Sequence, residues 1–331
     1  MGEYTMRLVD RYGREHRDLR VSVTDRCPLR CSYCMPTEGI TFMRTDDLLS
    51  VEEIQRLVGI ATTLGIDKVR ITGGEPLVRE NLVEIVRAIA TLPDPPDLAM
   101  TTSGVGLAKW AYPLAMAGLP RVNVSLDTID PATFVMITRK DRFSEVLAGL
   151  DAAVQAGLVP IKINAVLQRG VNDHEASRLL DFAIERGCEL RFIEQMPLSG
   201  QQWDRESIIT GKEILNQIGA THRLTRVADR GHSPAELWMV DSGPARLGII
   251  AAVTEPFCSQ CDRLRLTADG YLRSCLFSTS EADLRSLMRR GASDDDLAEV
   301  FVECVSNKEH GHRISEQGFV QPTRPMSAIG G

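Results

Sequence analysis

The sequence predicts an α/β protein: an incomplete (β/α)6 barrel of the TIM type over residues 1–230, then a smaller α+β domain over residues 231–331. Six extended apolar segments alternate with helical patterns, which implies a parallel sheet with right-handed crossovers. Beyond about Leu198 the alternation loosens into shorter strands and a hairpin. An open doubly wound sheet fits the same count, but the side-chain pattern favours the barrel.

The expected strands cover residues 20–24, 68–72, 98–102, 121–126, 161–167 and 189–196. Helical stretches between them include 51–64, 82–92 and 143–156. In the last, Phe143, Val146, Leu147, Leu150 and Val154 recur at helical spacing, and Gly157 follows as a stop. Successive strand residues face opposite sides. Arg20, Ser22 and Thr24 therefore oppose Val21 and Val23; Arg70 and Thr72 oppose Val69 and Ile71. Asn123 and Ser125 oppose Val122 and Val124, and Lys162 and Asn164 oppose Ile161 and Ile163. Helices must cover the β-branched face, so the polar face lines a shared interior. Ordinary eight-stranded barrels fill that interior with apolar residues. A polar, basic lumen suggests a cavity for an anion.

Beyond Leu198, residues 210–218 read as one more helix and 236–240 and 248–253 as strands. Residues 263–267 and 271–275 flank Ala268-Asp269-Gly270, a hairpin with Asp-Gly turn chemistry. Residues 284–290 and 294–305 read as helices and 321–331 as an irregular tail.

Composition excludes several classes. Asp and Glu total 45 against 38 Lys and Arg, a formal charge of −7, which argues against bulk counterion-release binding of nucleic acid. Aromatic content of 5% argues against base-stacking platforms. No apolar run approaches the roughly 20 residues of a membrane helix. The polar start of the chain predicts no secretory leader, hence a cytoplasmic protein with reduced thiols.

Six of the eight cysteines form two groups: Cys27, Cys31 and Cys34, then Cys258, Cys261 and Cys275. Cys188 and Cys304 stand apart and read as structural. The first group, C-x3-C-x2-C, supplies three thiolates to a four-iron cluster and leaves one iron open. Zinc completed by a distant His, or three unrelated buried thiols, are the alternatives. This spacing, with Gly73-Gly74-Glu75-Pro76 after the second strand, resembles the radical S-adenosylmethionine (SAM) superfamily over about residues 15–230. The resemblance implies that the open iron binds SAM, that Tyr33 contacts adenine and that Gly74 takes the methionine amino group.

The second group, C-x2-C-x13-C, again offers three ligands, with Arg263 and Arg265 on one face of the strand between them. Zinc remains open on spacing alone. The Arg pair suits phosphate, because each guanidinium donates two parallel hydrogen bonds.

Thr24-Asp25-Arg26-Cys27, Arg70-Ile71-Thr72-Gly73, Asn123-Val124-Ser125-Leu126-Asp127, Arg191-Phe192-Ile193-Glu194, Phe257-Cys258-Ser259-Gln260-Cys261 and the terminal Gly330-Gly331 together resemble the GTP 3′,8-cyclase family nearly end to end. That resemblance implies two four-iron clusters, the second meeting the guanine ring, and a first step of molybdenum cofactor biosynthesis. It implies GTP contacts at Arg20, Arg70, Thr101, Lys162, Arg263, Leu264 and Arg265, and SAM contacts at Tyr33, Gly74, Ser125 and Met196. Arg263, Arg265, Gly330 and Gly331 would act in the active site. The implied partners are GTP, an electron donor, a downstream cyclic pyranopterin monophosphate synthase and a second copy in a homodimer. Ser103 departs from the family's usual Asn, exchanging an amide donor for a hydroxyl. A radical SAM peptide or sulfatase modifier, or a non-catalytic zinc module, are the other readings.

Overall fold

The computed structural model describes residues 7–36, 39–198, 203–228, 232–314 and 316–330. Strands β1 (Asp18–Ser22), β2 (Lys68–Thr72), β3 (Asp97–Thr102), β4 (Val122–Ser125), β5 (Lys162–Ala165) and β6 (Glu189–Ile193) lie side by side in chain order, all parallel. Helices α1 (Val51–Thr63), α2 (Leu82–Ala90), α3 (Leu107–Met116), α4 (Pro131–Thr138), α5 (Phe143–Gln155) and α6 (Ala176–Glu185) connect them. The apolar strand faces are buried as the alternation requires: Leu19, Val21, Val69, Ile71, Val122, Val124 and Ile163 all belong to one core.

The second part does not build a sheet of its own among the described residues. The strands after β6, namely β7 (Leu224–Arg226), β8 (Glu236–Val240), β9 (Arg246–Ile250), β10 (Arg263–Leu266), β11 (Tyr271–Arg273) and β12 (Ala282–Asp283), extend the first sheet at both edges. β10 pairs parallel with β1, and β9 pairs parallel with β6. The order is β12-β11-β10-β1-β2-β3-β4-β5-β6-β9-β8-β7, so the expected six parallel strands gain one more parallel strand on each side. An unpaired edge leaves a row of backbone donors and acceptors unmet, and the added strands satisfy both rows. The expected boundary at 230/231 falls on residues 229–231, outside the described residues. After β6 come α7 (Gly211–Gly219), α8 (Leu284–Arg289), α9 (Asp294–Ser306) and α10 (Met326–Ile329). Ser293 and Asp296 close a capping box at the start of α9, as Thr210 and Glu213 do for α7.

Two sequence expectations are corrected. Val154 is 49% exposed, and Ala153 takes the buried face of α5 with Val146, Gly149 and Leu150. Seven residues bring a helix back to nearly the same face, whereas eight rotate it by roughly 80°. The supposedly irregular tail contains α10, with Ile329 only 1% exposed in a small cluster with Leu198, Val253, Leu276 and Phe277. Arg324 anchors this tail by ion pairs to Asp269 and Glu281. Among the described residues no helix is long and apolar enough to cross a membrane.

Candidate active site

One cavity of about 340 Å3 opens at the C-terminal ends of the parallel strands, and both cysteine triads line it. The first triad lies in the loop after β1, where the N–H groups of Cys34 and Met35 both donate to Cys31 O. Gly73-Gly74 packs against the residues leading into that loop. Gly74 N donates to Thr24 O at 2.7 Å and Glu75 N to Arg26 O at 2.7 Å. A Cβ on Gly74 would lie 2.6 Å from Asp25 O and closer still to Arg26 O, so only glycine permits the approach. The Gly74 N–H is thereby used, which leaves its carbonyl for a ligand's amino group.

Glu75, fully buried, ties this loop to the end of β3. Its Oε1 accepts from Leu77 N and from Thr102 Oγ1 at 2.7 Å, and its Oε2 accepts from Ser103 N at 2.6 Å. The sequence reading missed this role, which no local pattern marks. The Ser103 hydroxyl accepts from Val105 N at 3.4 Å and also supports the Glu75 carboxylate. Tyr33 donates to Asp127 Oδ2 at 2.8 Å, and burial pushes the Asp127 carboxyl up to about 6.

The triads sit in unlike surroundings. Burial pushes Cys27 up to about 12 and Cys34 to about 11, and it raises Cys31 as well. Glu75 adds to the shift at Cys27, and Asp127 at Cys31 and Cys34. In the second triad burial also opposes ionisation, but the Arg263 guanidinium and the Lys308 ammonium bring Cys261 down to about 6. Burial raises Cys258. Among the described residues the six form no disulfide. A bound metal deprotonates the thiols it takes, and three cysteines lining one cavity are the donor type an iron–sulfur cluster uses. Among the described residues no three His, Cys, Asp or Glu side chains form a ligand set for a single ion.

Below the cysteines the lumen is basic. Strand register places Arg265, Arg20 and Arg70 in one row across β10, β1 and β2. Burial, then Arg263, Arg70 and Arg265, hold Arg20 well below its usual range. Burial and Arg263 bring Arg265 to about 10. The buried Nε atoms of Arg20 and Arg70 have no hydrogen-bond partner. Like charges at close quarters call for an anion, and a polyphosphate matches the row.

Of the residues singled out from the sequence, Arg20, Arg70, Thr101, Arg263, Arg265, Tyr33, Gly74, Ser125 and Met196 line the cavity with the six cysteines. Lys162 is not among the lining residues; it stands at the start of β5, where burial and then Arg191 lower it to about 8. The Leu264 side chain is fully buried in the apolar core on the other face of β10, which leaves its backbone for any ligand. Gly330 accepts a hydrogen bond from Arg265, and a Cβ there would lie 2.6 Å from Thr72 Oγ1. Gly331 lies outside the described residues. Arg191, which the strand alternation could have marked opposite Leu190 and Phe192, lines the cavity and bonds Glu189 at 2.5 Å.

Comparison with known proteins agrees with this geometry. The chain is 53% identical to the GTP 3′,8-cyclase of Streptomyces coelicolor, over 98% of this chain and 96% of that one. It is 53% identical to GTP 3′,8-cyclase 2 of Mycobacterium tuberculosis, over 98% of this chain and 92% of the other. The chain belongs to the GTP 3′,8-cyclase family. Within that family assignment, residues 21–183 match the radical SAM superfamily and residues 188–314 match the Molybdenum Cofactor Synthesis C family. As a radical SAM protein, this cyclase-family member uses SAM with an iron–sulfur cluster. Its fold resembles Streptococcus suis SuiB, with TM-score 0.59 at 14% identity over 92% of this chain and 70% of that one. The SAM-bound form of SuiB gives TM-score 0.58 at 14% identity over 83% of this chain and 64% of SuiB.

Proposed function

We propose that this chain is a radical SAM GTP 3′,8-cyclase, forming (8S)-3′,8-cyclo-7,8-dihydroguanosine 5′-triphosphate in molybdenum cofactor biosynthesis. The observation that carries the reading is two cysteine triads facing one cavity whose floor is a row of buried arginines. Cys27, Cys31 and Cys34 would hold the SAM-binding cluster, and Cys258, Cys261 and Cys275 a second four-iron cluster. When bound, the first cluster with SAM supplies the 5′-deoxyadenosyl radical that removes the ribose 3′ hydrogen.

The chain's own residues then bind and orient. Tyr33, Gly74, Ser125 and Met196 hold SAM against the first triad. Arg20, Arg70, Lys162, Arg263 and Arg265, with Thr101 and the Leu264 backbone, fix GTP so that C3′ stands within reach of guanine C8. Closure of the C3′–C8 bond leaves an unpaired electron on the purine, which one external electron and one proton quench. Arg263 and Arg265 stabilise the charge that develops there, with Arg265 also donating to the Gly330 carbonyl. The division into residues 1–230 and 231–331 assigns one triad to each part. The reading makes the product the substrate of a downstream cyclic pyranopterin monophosphate synthase, and gel filtration decides whether the chain forms a homodimer.

Anaerobically reconstituted protein should carry about eight irons, as two four-iron clusters require. It should convert GTP, SAM and a reductant to the cyclised nucleotide. Iron near four per chain, or zinc in the second site, overturns the two-cluster reading. SAM cleavage triggered by peptides and not by GTP overturns the activity.

A further inference from the structure

Lys308 follows the C-terminal end of α9 and is only 2% exposed. Its Nζ donates to Arg263 O at 2.9 Å and to Cys261 O at 3.2 Å, and it lies 3.8 Å from Cys261 Sγ, within reach for a hydrogen bond to sulfur. Among the described residues no carboxylate lies within ion-pair distance of this ammonium. Burying a cation without a counter-anion costs several kcal/mol. The anion must therefore come from the cysteine site.

The aim of Lys308 is fixed from behind. Arg14 donates through one terminal nitrogen to Cys258 O at 2.6 Å and His310 O at 2.9 Å, and through the other to Glu309 O at 2.9 Å. One guanidinium thus fastens the segment after Lys308 to the turn that carries Cys258. Arg14 has its own counter-anion, Asp10 Oδ2 at 2.6 Å from its Nε. Lys308 alone of this pair brings an unmatched charge to the thiolates.

We propose that Lys308 is the charge partner of the iron–sulfur group held by Cys258, Cys261 and Cys275, a positioning residue whose ammonium makes that group easier to reduce. This rests on the second-cluster reading above. Reduction adds one negative charge to the cluster, and a fixed cation bonded to a ligand sulfur favours the reduced state. Cluster potentials respond to hydrogen bonds at the sulfurs and to local charge.

The test is an anaerobic redox titration, followed by electron paramagnetic resonance, of the reconstituted full chain carrying Lys308→Met or Lys308→Arg. A parallel set with Cys27, Cys31 and Cys34 replaced by Ala assigns which potential belongs to the second triad. Lys308→Met should disfavour reduction of that group about tenfold, which is ~59 mV for one electron. Lys308→Arg should stay near the wild type, and the first triad's potential should not move. Equal potentials in wild type and Lys308→Met overturn the inference. Loss of the second cluster in the Met and Arg variants alike assigns Lys308 to packing and overturns it too. Loss in Met with retention in Arg supports the charge role. Wild-type protein with about four irons instead fails the second-cluster reading itself, so the two failures are distinguishable.

Discussion

The two triads are alike in ligand count and opposite in electrostatic setting. The first is surrounded by burial and carboxylates, with Glu75 and Asp127 both disfavouring thiolate charge. The second faces Arg263 and Lys308, and Cys261 ionises more readily than a free cysteine. A negative neighbourhood favours giving up an electron and a positive one favours holding it. The same three-cysteine device can therefore serve a strongly reducing centre on one side of a cavity and a substrate-binding centre on the other. The sheet enforces the division, because β1 carries the first triad on its following loop and its edge partner β10 follows directly after Cys261.

Removing either triad is the largest perturbation. Replacing Cys27, Cys31 and Cys34 by Ala should abolish SAM cleavage entirely. Replacing Cys258, Cys261 and Cys275 by Ala should abolish cyclisation while reductive SAM cleavage survives. Chromatography of 5′-deoxyadenosine and of the nucleotide product distinguishes the two. Identical phenotypes would break the comparison, since the triads would then act as one unit.

Gly74→Ala comes next. The added methyl meets the Asp25 and Arg26 carbonyls, backbone atoms that cannot swing aside. Overpacking of this kind costs about 1–3 kcal/mol. Thermal melting should show the loss, with weakened SAM binding and an unchanged second cluster. A variant that melts like the wild type would mean that the loop before Cys27 is not held by this contact.

The fold was legible where periodicity is local. Alternation along β1, β2, β4 and β5 separated the core face from the lumen face before any packing was known. It did not tell which edges β9 and β10 would join, because β9 pairs with β6 across an intervening helix and two strands and β10 pairs with β1 from the far end of the chain, and neither pairing leaves a local mark. Likewise α10 is short, and its order comes from the Arg324 ion pairs and the Ile329 contacts rather than from helix propensity. At the site, the cysteine spacing marked the two triads and the strand alternation the arginines that line the cavity with them. Glu75 and Asp127 stood in the motifs without a role and Lys308 stood in none, since their partners Thr102, Tyr33 and Cys261 lie far away in sequence.

Lys162, which stands at the start of β5 outside the cavity lining, gives a smaller effect. Burial, then Arg191, lower its ammonium from 10.5 to about 8. It is charged below that pH and neutral above it, so GTP affinity should fall as pH rises from about 7 to 9. Lys162→Arg keeps its charge throughout and should flatten the profile. Lys162→Ala should weaken binding about tenfold or more at neutral pH, as for a lost charge-assisted hydrogen bond of ~1.5–3 kcal/mol. Isothermal titration across the pH range measures both.

Asp127→Asn should produce the smallest change and the sharpest reading of the contrast. Asp127 Oδ1 accepts from Val166 N at 2.9 Å while Oδ2 accepts from the Tyr33 hydroxyl. An Asn can keep the first bond through its oxygen and offer its amide to the Tyr33 oxygen, so packing survives. SAM affinity should change by only a few fold, because one neutral hydrogen bond replaces another at a net ~0.5–1.5 kcal/mol. What disappears is the negative charge beside Cys31 and Cys34. The first cluster should then become easier to reduce, the opposite sign to Lys308→Met at the second. Redox titration of both variants therefore asks whether the fold sets the two centres apart by the sign of their buried neighbours. Shifts in the same direction would show that the difference between the triads lies in the ligands themselves.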